Sequence, residues 1–88
     1  MNQLILFPDI QTYDANAQVV RFPAQQAGAL IECSVTVSWL AEQQGQALVN
    51  EDAILAAFAE LRFDIEDAIE TLIEEEAYNA VGEIALDV

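Results

Sequence analysis

The stretch Asn50–Tyr78, NEDAILAAFAELRFDIEDAIETLIEEEAY, decides how this chain folds. It contains neither glycine nor proline. Its apolar residues Ile54, Phe58, Leu61, Ile65, Ala68 and Leu72 return at intervals of 4, 3, 4, 3 and 4 residues. That is the period of one helix face, which Leu55, Ile69 and Ile73 widen. Glu60, Asp64, Glu66, Asp67, Glu70 and Glu74 fall on the other side. The segment is therefore an amphipathic helix, or two end to end, with one face to be covered by other elements and one that stays in water. Asn50 is a suitable N-cap, and Glu51 and Asp52 follow it in the first turn, where the helix dipole favours negative charge.

The residues that cover the helix come mostly from the amino-terminal half. Leu4-Ile5-Leu6-Phe7, stopped by Pro8-Asp9, reads as a short first strand near a sheet edge. Asp9–Ala17 reads as a loop with a tight turn at Asp14 and Asn16, folding Ile10 and Tyr13 back over the core. Val19–Phe22 is a second strand, with Val20 and Phe22 on one face, Val19 and Arg21 on the other, and Pro23 as its end. After a turn at Gln25–Gly28, Leu30–Val37 alternates, placing Ile31, Cys33, Val35 and Val37 inward. Ser38 is expected to cap a short helix through Trp39 to Gln44 that Gly45 stops. Beyond Asn79 the period returns to two, so Gly82–Leu86 is expected to join the sheet as an antiparallel last strand. The fold class is α+β: about four antiparallel strands, three amino-terminal and one carboxy-terminal, packed against the long helix with a short helix before it. The 88 residues suit a single domain.

Composition narrows function by exclusion. The formal net charge is −14, with Arg21 and Arg62 the only basic side chains. A chain so acidic lacks the electrostatic footprint of a nucleic-acid binder, and anionic membranes disfavour it equally. No apolar run approaches the roughly 20 residues needed to span a bilayer. Met1–Phe7 lacks the basic start and apolar core of a signal peptide, so a cytoplasmic location is expected. Cys33 is the one cysteine and lies on an apolar strand face, where a small buried hydrophobe is the ordinary reading. With no histidine the usual base beside a nucleophile is missing, and metal-ligand spacings of His and Cys are missing with it. Glu66 and Glu70, Asp67 and Glu70, and the run Glu74–Glu76 suit a solvated helix face better than a cation site. No glycine pattern cradles a phosphate. An acyl carrier is excluded because there is no Asp-Ser-Leu attachment site and the strands contradict an all-helical fold. No catalytic residue, metal or cofactor is expected.

The corner Arg62-Phe63-Asp64-Ile65-Glu66 is the informative exception. At about 100° per residue, Phe63 lies about 200° round from Leu61, on the acidic face of an unbroken helix. Two readings stand. The helix breaks near Arg62, Asp64 caps a second helix and Phe63 packs under the amino-terminal loop near Tyr13; or Phe63 is exposed and anchors a contact surface beside Arg62. The first is preferred for the fold, while Arg62, Phe63, Asp64 and Glu66 remain the candidate interaction surface. Arg62 is also placed to bridge Glu66 one turn on.

In order and spacing, Phe7-Pro8, Val20-Arg21-Phe22-Pro23-Ala24, Gly28, Ile31-Glu32-Cys33, Leu40, Phe58, Arg62-Phe63-Asp64-Ile65-Glu66, Ala68 and Leu72-Ile73 resemble the small bacterial family DUF1488 over nearly the whole chain. The resemblance implies a small α+β domain of the proteobacterial cytoplasm and brings no activity, cofactor or catalytic residue. Phe63 stands where members carry Trp after the Arg, and Tyr13 where Trp is frequent; both keep an aromatic ring. Some members are encoded near a shikimate-pathway dehydrogenase and have been labelled regulators by that association. The expected function is a non-enzymatic protein-interaction module with an unidentified, basic protein partner, self-association being a second outcome. The alternative is a regulator linked to transcription or to the shikimate pathway, acting through a protein rather than on DNA.

Overall fold

The computed structural model describes residues 4–88. The elements run β1 (Ile5–Leu6), β2 (Thr12–Asp14), β3 (Val19–Gln26), β4 (Ala29–Thr36), α1 (Val37–Gln44), α2 (Glu51–Glu60), α3 (Arg62–Glu74) and β5 (Ile84–Leu86). The fold is α+β, with a five-stranded mixed sheet and three helices.

The β3–β4 hairpin is the spine of the sheet. Its two strands pair antiparallel over their whole length, from Val19↔Thr36 to Gln26↔Ala29. The strand does not stop at Pro23, as the sequence suggests. On its far side β3 is paired by β2 at Val19–Arg21 and by β1 at Gln25–Gln26, leaving Phe22–Ala24 without a strand there. One flank at Pro23 therefore needs no amide donor, and this is how a sheet tolerates proline. The turn is made by Ala27 (φ 53°) and Gly28 (φ 82°), both left-handed, as a two-residue hairpin matched to strand twist requires. Thr12–Asp14 is a strand rather than part of a loop. The turn itself is as expected: the Asp14 carboxylate accepts from the amides of Asn16 (3.0 Å) and Ala17 (3.2 Å).

One expectation about the sheet is wrong. β5 runs parallel to β4, pairing Cys33↔Ile84, Ser34↔Ala85 and Val35↔Leu86, not antiparallel. A parallel neighbour needs a crossover of a dozen or more residues, usually helical, and α1, α2 and α3 supply it.

Helix α1 is capped by Thr36 rather than Ser38: the Thr36 hydroxyl accepts from the Trp39 amide at 3.0 Å. Gly45 (φ 72°) ends the helix in the left-handed conformation, its amide donating to the Ala41 and Glu42 carbonyls. Asn50 caps α2 as expected, accepting from the Ala53 amide at 2.8 Å. The long amphipathic stretch is two helices, joined at Leu61 (φ −96°, ψ 13°). Hydrogen bonds persist on both sides of the joint, from the Leu61 amide to the Ala57 carbonyl and from the Ile65 amide to the Leu61 carbonyl. The ladder therefore continues through the joint without a gap.

All three helices lie on one face of the sheet. Val20, Phe22 and Ala24 of β3, Cys33 and Val35 of β4, and Ile84 of β5 meet Leu40 of α1, Ile54, Ala57 and Phe58 of α2, and Ile65, Ile69 and Ile73 of α3 in one core cluster. Tyr13 packs against that cluster, but Ile10 does not fold back over it and stays exposed. Phe58 sits at the centre, its ring 5.2 Å from that of Phe22 and tilted by 60°.

Candidate functional site

The joint at Leu61 divides the four residues of the Arg62–Glu66 corner into two pairs. Arg62 opens α3 one turn after Phe58, so its stem lies along the core and its guanidinium sits 5.7 Å over the Phe58 ring. From there it donates to the main-chain carbonyls of Phe7 (3.3 Å) and Pro8 (3.0 Å), and to Oε1 of Gln11 (3.1 Å). Its Nε donates to Glu66 at 2.8 Å, and Asp9 lies 3.5 Å away. The side chain keeps only 22% of its exposure. Arg62 thus fastens the loop between β1 and β2 onto the start of α3, and Glu66 holds the other edge of the fork.

Phe63 and Asp64 face outward. Phe63 is 87% exposed, the highest value among the described large hydrophobic residues. The reading that places it under the amino-terminal loop is overturned: the helix breaks, yet the break turns Arg62 into that loop and Phe63 away from it. Asp64 is a first-turn residue of α3 and caps nothing, since α3 has no side-chain cap. Glu60 at the end of α2 and Asp67 one turn beyond Phe63 are exposed beside it. An uncovered ring with carboxylates around it is what remains of the corner once Arg62 is committed inward.

The other cation is committed too. Arg21 pairs with Asp14 at 3.0 Å and lies 3.9 Å from Glu83. The Ala17 amide, then the Arg21 guanidinium, hold the Asp14 carboxyl below its ordinary value of 3.8. The Thr36 hydroxyl, donating at 2.8 Å, and then the Val88 amide lower Asp87 in the same way. Both arginines of the chain therefore have carboxylates against them, and on the helix face only Glu66 is offset, by Arg62.

Cys33 is buried in the core, and that burial pushes its thiol from an ordinary 9.0 up to about 12. It stays a neutral thiol near neutral pH, with its Sγ 3.4 Å from the Ile31 carbonyl oxygen. No group of three or more His, Cys, Asp or Glu able to hold a metal ion occurs among the described residues. No helix among them is long and apolar enough to cross a membrane.

The open face of the sheet carries a feature that the sequence reading missed. A groove of about 420 Å³ is lined by Ile10, Thr12, Arg21, Phe22, Pro23, Leu30 and Glu32. Leu30 and Ile10 stand exposed at its rim. The available signal was Leu30: if Ile31, Cys33 and Val35 point inward, Leu30 points outward, an apolar residue on the wet face of its strand.

The comparisons agree with this architecture. A crystal structure of a protein of unknown function from the DUF1488 family of Shewanella loihica PV-4 superposes with a TM-score of 0.93 at 36% identity, covering 98% of this chain and 94% of its own. In sequence the chain is 35% identical over 83 residues to the uncharacterized protein YrdB of Escherichia coli K12, spanning 93% of this chain and 94% of that protein. The Shigella flexneri protein of the same name is 34% identical over 83 residues. The sequence model of DUF1488, described as a protein of unknown function, matches residues 5–86. With its fold, its relatives and nearly its full length in agreement, the chain belongs to the DUF1488 family.

Proposed function

We propose that the protein is a non-enzymatic interaction module of the cytoplasm, which presents the outer face of α3 to a basic protein surface. The observation that carries this reading is Phe63, an aromatic ring left 87% exposed on a face of carboxylates. Exposure of so large an apolar side chain gains nothing for the fold, whereas aromatic rings are the side chains that anchor protein contacts. The surrounding Glu60, Asp64 and Asp67 carboxylates attract lysine and arginine, so approach is steered by charge and docking is completed by the ring. With a net charge of −14 the preferred partner is a protein with a basic patch rather than a nucleic acid.

The test is titration of the isotopically labelled protein with a Lys/Arg-rich amphipathic peptide at low and physiological salt. Amide shifts should concentrate at Phe63, Asp64 and Asp67, weaken as salt rises, and disappear in Phe63→Ala. Shifts of equal size in Phe63→Ala, or shifts spread over every carboxylate, would leave only non-specific charge attraction and remove the reading.

A further inference from the structure

We infer that the groove on the open face of the sheet is a second docking site, which takes an extended segment of a partner protein carrying an aliphatic side chain beside a lysine or arginine. The pairing register sets what surrounds the groove. Leu6, Gln25 and Leu30 form one row across β1, β3 and β4, and Pro23 and Glu32 form the next. Glu83 stands beside Glu32, since both precede the Cys33↔Ile84 pair by one residue. An antiparallel sheet with one wet face normally presents polar residues there. Here Ile10 and Leu30 line the groove while 61% and 64% exposed, so an aliphatic end adjoins a carboxylate end.

Charge selects the occupant first. Arg21 is the basic side chain of this face, and it is held by Asp14 at 3.0 Å, with Glu83 3.9 Å away. Asp87 accepts from the Thr36 hydroxyl at 2.8 Å. Glu32 is left as the groove carboxylate with no ion-pair partner among the described residues. Like charges side by side on adjacent strands disfavour the fold, and Glu32 next to Glu83 is such a pair. An incoming cation relieves it, whereas an anionic ligand or a second copy of this chain would add to it. Spacing selects next. Leu30 and Glu32 are two residues apart on one strand, so both side chains stand on the same face about 6.6 Å apart along it. An extended occupant repeats that spacing when its aliphatic and basic side chains are also two residues apart. Each then meets its complement.

Exposure of the rim points to a protein rather than a small molecule. A small ligand is retained by a pocket that buries most of its surface, and this groove leaves one flank of its occupant in water. The rest of a longer chain has to support what the groove holds. One aliphatic contact and one solvent-exposed ion pair set a weak local affinity, in the upper micromolar to millimolar range. Phe63 belongs to the helix layer on the other side of the sheet, so the two sites face apart and failure at one leaves the other standing.

The test is titration of the full, isotopically labelled chain with the blocked peptide Gly-Leu-Ser-Lys-Gly, too short to form a helix. Amide shifts should concentrate at Thr12, Leu30 and Glu32. Leu30→Ser should weaken binding at least about tenfold, and Glu32→Gln about threefold with a flatter salt dependence. Both residues are exposed, so both variants should remain folded, which far-ultraviolet circular dichroism verifies on the same samples. Glu42→Gln, which removes the same charge from the exposed side of α1, should leave the affinity unchanged, as should Phe63→Ala. Absence of shifts at the groove overturns the inference, and shifts confined to Phe63 and its neighbours do so while leaving the α3 surface intact. Binding indifferent to Leu30→Ser, or weakened as much by Glu42→Gln as by Glu32→Gln, reduces it to general attraction by an acidic chain and overturns it too. The same groove shifts with butylamine alone would assign the site to a small amine instead of a protein segment.

Discussion

Replacing Arg62 by alanine should detach the amino-terminal loop and β1 from the helix layer. Two charge-assisted hydrogen bonds, to the Phe7 and Pro8 carbonyls, are lost, each worth about 1.5 kcal/mol when the donor is charged. The contact over the Phe58 ring adds about 0.5 kcal/mol, and the bond to Glu66 a few tenths as an i,i+4 pair. The side chain keeps some exposure and water can reach the freed carbonyls, so the net loss is about 2–3 kcal/mol rather than the full sum. For a domain of this size that lowers the thermal midpoint by about 10–20 °C. Denaturant melts of Arg62→Ala and Arg62→Lys measure the change. An ammonium group retains the charge but cannot donate to the carbonyls and Glu66 together, so Arg62→Lys should recover less than half of the loss. Hydrogen exchange supplies the local readout: amides of β1 should lose protection before those of the β3–β4 hairpin. A loss below about 0.5 kcal/mol in Arg62→Ala, or β1 protection that is unaffected, would refute the fastening role.

Phe63→Ala should leave stability within about 0.5 kcal/mol, because the ring is exposed and no cavity is created; a loss near 3 kcal/mol in a urea melt would show that the ring is packed after all. Cys33 should resist thiol reagents under native conditions. Its folded pKa is raised from 9.0 to about 12, so above pH 9 the unfolded chain releases a proton that the folded chain retains. Stability should therefore fall between about pH 9 and 12, and Cys33→Ala should flatten that part of the pH profile. Moderate salt should raise the thermal midpoint by screening the self-repulsion of a chain with net charge −14; a midpoint unmoved between low and physiological ionic strength contradicts this.

Periodicity and capping chemistry were legible because they are local. The 4-3-4-3-4 spacing identified the helical stretch, the alternation of Ile31, Cys33 and Val35 the inner face of β4, and Asn50 and Gly45 the helix ends they form. Even the conflict at Phe63 was visible as an angle on a wheel. How it resolves was not, because that depends on whether a loop some fifty residues earlier offers carbonyls to Arg62 or a cavity to Phe63. Tertiary contact chose the carbonyls. The direction of β5 was open for a similar reason: a period of two reads the same up or down a strand, and only the route of the three-helix crossover makes it parallel to β4. The sequence by itself determined most of the elements, the face that β4 and the long helical stretch bury, and the acidity of the chain. Strand order, the partners that hold both arginines and the groove on the open face came only with tertiary structure, because each depends on residues distant in the chain meeting in space.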